Sequence, residues 1–153
     1  MNDRDELRRE LEVKAWLLAP ADLGPLGLPG VIQGEDRVAF AKGLTAFREG
    51  DFYLAHDLWE EVWHNYRGAD RRFLQGLIHI AVGSYHVQCG NPKGAASQLA
   101  KARTKMSPFA PRHWGMAVNV LLARVDALRE ADTNDPAAVE PLLAAVKKGV
   151  RSA

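Results

Sequence analysis

The chain has 153 residues, 47% of them hydrophobic and 25% charged, and its 20 basic and 19 acidic side chains leave a formal charge of +1. That balance suits one ordinary globular domain and excludes a disordered chain, which combines low hydrophobicity with high net charge. The single cysteine, Cys89, excludes an internal disulfide and a cysteine-rich zinc module.

The opening run, Met1 to Glu6, is acidic and polar where a signal peptide would be basic and then apolar. The longest weakly charged run, Phe73 to Cys89, holds Gln75, His79, His86 and Gln88 and is too polar for a membrane span. A cytoplasmic protein without a membrane segment is therefore expected. Counts of 23 Ala and 18 Leu against 3 Ile and 3 Thr favour helix, since the β-branched residues are the strand formers.

In chain order, residues 5–19 read as a charged helix with a Leu11/Trp16/Leu18 edge, stopped by Pro20. Residues 20–34, rich in Pro and Gly, read as a wrapping loop. Helices are expected at about 36–49, 51–66, 71–89 and 92–106, separated by Gly50, Gly68 and Gly90, the last with Pro92 in its first turn. Pro108 and Pro111 break the pattern, and helices at about 113–131 and 136–148 complete it. The expected fold is all-α: an antiparallel helical bundle of about five to six helices. Residues 1–34 form an N-terminal helix and loop, and 35–153 the bundle, within one domain overall.

Phe47-x-x-Gly50-Asp51-x-x-x-Ala55 is echoed 40 residues later by Val87-x-x-Gly90-Asn91-x-x-x-Ala95. Helix, glycine turn, helix, with a small residue at the crossing, is the pattern of a tetratricopeptide-like αα-hairpin. Two copies are fewer than the roughly three a solenoid needs.

Candidate chemistry comes from helical periodicity. At about 100° per residue, Phe52, Ala55, His56, Trp59, Val62, Trp63 and Tyr66 share one arc of the helix at 51–66, with Glu60 on its margin. Asp57, Glu61 and His64 fall toward water. On the helix at 71–89, Gln75, His79, Val82 and His86 make a narrow stripe on an otherwise apolar circumference. A polar stripe on a buried helix needs partners or a ligand. Antiparallel pairing about Gly68 sets Glu60 level with Leu77 and His56 level with Ala81, so His56 and Glu60 are expected to converge on His79 and His86. That set suits a divalent transition metal held by His56, Glu60, His79 and His86, with Gln75 and Trp63 in support. It equally suits an acid/base pair in which Glu60 orients a histidine, or a closed network that only fixes helix register. One inward carboxylate is too few for a di-metal carboxylate centre. Glu60 is expected to be buried and Glu61 exposed, Cys89 to be a small core residue, and His113 to start a helix. No phosphate loop, dinucleotide fingerprint or nucleophile elbow is present, so no catalytic residue is named.

Residues 71–125 contain eight Arg and Lys and no Asp or Glu. The basic helices are expected to face acidic ones within the fold or in a symmetric dimer, rather than nucleic acid. A protein partner or a second copy, bound by the hairpins, is the alternative to a metal or small ligand.

Phe47-Arg48-Glu49-Gly50-Asp51-Phe52-Tyr53-Leu54-Ala55-His56-Asp57-Leu58-Trp59-Glu60-Glu61-Val62-Trp63, followed by Phe73-Leu74-Gln75-Gly76-Leu77-Ile78 and Tyr85-His86, resembles the family called domain of unknown function 309. The resemblance covers roughly residues 38–106. It implies a small all-helical prokaryotic protein without an assigned activity. It also implies shared polar positions at His56, Glu60, Trp63, Gln75 and His86, with His79 standing where the family more often has Gln.

Overall fold

A computed structural model describes residue 32 and residues 34–131, 135–143 and 145. The expected N-terminal helix and wrapping loop lie outside these residues. The described chain is all-α except for one two-residue hairpin. Helix α1 spans Gly34–Arg48, α2 Phe52–Asn65, α3 Arg71–Gln88, α4 Pro92–Met106 and α5 Val118–Ala131.

The helix ends follow from local chemistry. Glu35 and Asp36 sit in the first turn of α1 and Arg48 in its last, each favourable to the helix dipole. Gly50, at φ +82°, closes α1 in a left-handed turn: its N–H donates to Phe47 O at 3.0 Å, and the Asp51 N–H donates to Ala46 O at 2.9 Å. Gly90, at φ +73°, closes α3 the same way, with N–H bonds to Val87 O at 3.1 Å and from Asn91 to His86 O at 2.8 Å. These are paired Schellman bonds, and glycine is favoured there because it has no Cβ to clash. Asp51 then caps α2 by accepting from the Leu54 N–H, and Asn91 caps α4 by accepting from the Gly94 N–H.

The echo of turn residues is thus an echo of structure. Burial repeats with it: Phe40, Ala41, Phe47, Ala55, Trp59, Val62 and Tyr66 are buried, and so are Ile80, Ala81, Val87, Ala95, Leu99, Ala102 and Met106, each 40 positions on. The close approaches repeat as well. A Cβ on Gly43 would collide with the Trp59 ring, and one on Gly83 would lie 2.9 Å from Leu99 Cγ. Two copies of one αα-hairpin, α1–α2 and α3–α4, therefore pack side by side. Helix α3 lies between α2 and α4, with Phe73, Leu74, Leu77 and Ile80 buried.

Residues 107–117 differ from expectation. Ser107–Phe109 form one 3-10 turn, and Arg112–His113 (β1) pairs antiparallel with Met116–Ala117 (β2). The two-residue connection puts Trp114 at φ +50° and Gly115 at φ +74°, the signs of a type I′ turn. Consecutive left-handed residues cannot continue a helix, so α5 begins at Val118 and not at His113. Arg103 of α4 pairs with Asp126 of α5, its Nε donating at 2.7 Å. Pro136–Val139 is a 3-10 turn packed against α3, with helix resuming at 140–143. Among the described residues no helix is long and apolar enough to cross a membrane.

Candidate functional site

The expected histidine cluster divides into separate groups. On α2, His56 lies between two carboxylates: Nδ1 is 3.1 Å from Asp57 Oδ1 and Nε2 is 2.8 Å from Glu60 Oε2. The His56–Glu60 contact matches expectation, but Glu60 does not have the expected burial, since its side chain is 45% exposed. It sits at the edge of the apolar arc, where a long side chain lies along the helix and keeps its carboxylate in water. Glu61 is exposed, as expected.

His79 turns away from α2. Its Nδ1 is 2.8 Å from Gln98 Oε1 and its Nε2 is 3.0 Å from Lys105 Nζ, both on α4. An ammonium only donates, so Nε2 accepts and the Nδ1–H donates to Gln98. Burial pushes the His79 imidazole below its ordinary value, and the charges of Lys105 and Lys101 push the same way. His86 is 3.3 Å from Asn91 Nδ2 in the turn that follows α3. Trp63 is half-buried beneath Arg71, whose guanidinium carbon is 3.5 Å from the ring centroid and whose Nε donates to Trp63 O. Gln75 is half-buried on α3. Among the described residues no group of three or more His, Cys, Asp or Glu could hold a metal ion. The expected convergence of His56, Glu60, His79 and His86 therefore has no counterpart there. The polar stripe on α3 exists, but its centre at His79 is satisfied by α4.

His56 instead belongs to a ridge at the seam between α2 and α3. Tyr53 lies 5.9 Å from His56 and 5.5 Å from Tyr85, ring centre to ring centre, and Tyr85 lies 6.5 Å from His86. Cys89, expected in the core, is exposed, because it falls in the turn that closes α3.

A second constellation was not anticipated from sequence. The Asp70 carboxylate accepts from Tyr66 Oη, from His113 Nε2 at 2.9 Å and from Trp114 Nε1 at 2.8 Å. Burial works to raise the Asp70 carboxyl, but the bonds from Tyr66, His113 and Trp114 outweigh it and hold it below the usual range. Burial, with Asp70 beside it, holds the Tyr66 phenol well above its usual value. His113, expected to start a helix, stands in β1 against Phe73, Phe109 and Trp114. These bonds tie the 112–117 hairpin to the α2–α3 turn, and they account for the left-handed Trp114. The one available sequence signal was the aromatic-glycine pair Trp114-Gly115 after two prolines.

Residues 40–98 match the model of a family described as Domain of unknown function (DUF309), and that stretch contains the turns of both hairpins. An uncharacterized protein of Aquifex aeolicus (strain VF5) is 33% identical over 63 residues, which is 40% of this chain. The match covers 19% of that protein, so the chain spans about a fifth of the curated relative it matches. No solved structure matches significantly.

Proposed function

We propose that this chain, with its domain of unknown function 309 stretch at residues 40–98, is a tandem helical-hairpin interaction module. Its binding face is the ridge of Tyr53, His56, Glu60, Tyr85 and His86. One observation carries the reading: Tyr53 and Tyr85, one from each hairpin, are exposed and meet edge to face across the seam. Tyrosine is enriched at protein interfaces because it covers area with few rotatable bonds. Asp57 and Glu60 flank the pair. A cationic side chain over a tyrosine ring gains about 0.5–1 kcal/mol when exposed, and more when an interface removes water. The partner this surface suits is a protein segment bearing Lys or Arg among apolar residues. His56, with Nε2 2.8 Å from Glu60 Oε2, sets that carboxylate beside the Tyr53 ring.

Selection from a displayed peptide library tests the reading. Enriched peptides should be basic and partly apolar. Tyr53→Ser/Tyr85→Ser should weaken them by about tenfold or more, the loss of two interface aromatics, with unchanged far-UV circular dichroism. Peptides that bind the double variant as tightly as the parent would refute this face.

A further inference from the structure

The 40-residue repeat relates two surfaces of unlike chemistry. On the first hairpin, α1 and α2 enclose an open groove lined by Glu35, Val38, Ala39, Lys42, Leu58 and Glu61. Forty positions on, the same face of the second hairpin replaces Ala39 with His79, Leu58 with Gln98 and Glu61 with Lys101. Asn65, at the end of α2, becomes Lys105, which reaches across to His79. An apolar and acidic groove has become a basic one.

Among the described residues Arg72, Lys101 and Lys105 form no ion pair, whereas Arg103 on the same helix is paired to Asp126. Lys101 and Lys105 are one turn apart on α4, Arg72 is two turns from His79 on the same face of α3, and Lys105 reaches His79 across the packed pair, so the fold gathers the three cations on one face; burial and the charges of Arg72 and Lys101 lower the Lys105 ammonium accordingly. The half-buried His79 is locked between Gln98 and Lys105 and cannot reorient without losing both bonds. A set of like charges held together by the fold is stabilised by an anion placed among them.

We propose that the face formed by Arg72, His79, Lys101 and Lys105 binds a phosphate group. Two lysines one turn apart and an arginine from the neighbouring helix offer charged donors to its oxygens. Lys105 can donate one N–H to the anion while another donates to the neutral His79 ring, since an ammonium carries three N–H bonds. With the repulsion offset, a proton on His79 Nε2 is opposed less, so the His79 titration midpoint rises on binding; in that protonated form Nε2 no longer accepts, and the Lys105 ammonium turns wholly to the anion. The phosphate could be the terminal group of a small molecule or the diester of a nucleic acid.

The full chain is titrated with inorganic phosphate, with ribose 5-phosphate and with a single-stranded oligothymidylate, while the His79 imidazole signals are followed by NMR. Saturable shifts and a raised His79 titration midpoint with the first two probes support the proposal with a terminal phosphate as source. Saturation by the oligonucleotide alone supports it with the diester as source. Lys101→Gln/Lys105→Gln should lose at least about tenfold in affinity, the scale of one charge-assisted hydrogen bond. Lys93→Gln, two turns from Lys101, should bind like the parent. Shifts that never saturate, that chloride reproduces at equal ionic strength, or that survive in the double variant would overturn the proposal. Circular dichroism of each variant confirms that the fold is intact.

Discussion

Gly43 and Gly83 occupy equivalent positions in the two hairpins, and the structure predicts unequal responses to the same change. Gly→Ala in a helix interior gains about 1 kcal/mol from propensity alone. At Gly43 the new Cβ would lie 2.5 Å from Trp59 Cδ1 and closer still to Nε1. Trp59 is fully buried, and its Nε1–H donates to Phe40 O at 3.1 Å. The ring cannot move aside without losing that bond. Overpacking costs about 1–3 kcal/mol, and an indole N–H and a carbonyl left unpaired cost about 1–3 kcal/mol more. Set against the propensity gain, Gly43→Ala should lose about 1–5 kcal/mol. At Gly83 the nearest atoms are Leu99 Cγ at 2.9 Å and Cδ2 at 3.0 Å, a buried side chain with no hydrogen bond to lose, with Ala95 O at 3.4 Å. Leu99 must give way by a few tenths of an ångström without losing a hydrogen bond, so overpacking of about 1–3 kcal/mol stands alone against the propensity gain, and Gly83→Ala should lose about 0–2 kcal/mol. Urea midpoints for the two variants measure the contrast. A Gly43→Ala protein as stable as the parent, or a Gly83→Ala protein that loses more, would refute the account of how the helices cross.

Further outcomes follow from the same contacts. Glu60→Ala and Glu61→Ala should each shift stability by no more than about 1 kcal/mol, because the Glu60 carboxylate that meets His56 is nearly half exposed; a urea series that separates them widely would place Glu60 inside. The Asp70 carboxyl is lowered on folding, so its contribution is present above the unfolded value near 3.9 and is lost as pH falls through the folded one. Asp70→Asn should therefore be less stable than the parent at pH 7 and show a flatter acid limb in pH-dependent melting. His79 is also lowered, so folding opposes its protonation and stability should fall as pH drops through about 6.5; His79→Gln should remove that limb in the same measurement. Among the described residues the Ser84 hydroxyl is buried without a partner, and Ser84→Ala should leave stability unchanged or raise it by up to about 1 kcal/mol by denaturant titration.

The helices and their turns were legible because their signals are local. Gly50-Asp51 and Gly90-Asn91 announce a left-handed closure followed by an N-cap, and Pro92 marks a first turn, so the bounds of α4 were met at both ends. The polar stripe on α3 was legible for the same reason: periodicity places residues on a face. Periodicity does not say which neighbour covers that face. His79 is satisfied by Gln98 and Lys105, 19 and 26 residues ahead, and nothing near His79 in the sequence points to them. The Asp70 constellation spans 43 and 44 residues and depends on a turn conformation at Trp114 that local preference disfavours for a bulky side chain. Glu60 lay on the margin of its arc, where a rotation of a few tens of degrees decides between core and water.

The order of the helices has a kinetic consequence. Each of α1 to α5 packs chiefly against the helix next to it in the chain, and the hairpin turns are only a few residues long. Little loop entropy is lost before such contacts form, and chains of this kind reach their transition states quickly, on microsecond to millisecond scales of about 10⁻⁶ to 10⁻³ s. The links from Asp70 to His113 and Trp114, and the packing of Pro136–Val139 against α3, are exceptions, since they join distant segments. Collapse of the two hairpins should come first and docking of the 112–117 and 136–139 turns later. Substitutions at Asp70 should then speed unfolding while leaving the refolding rate almost untouched.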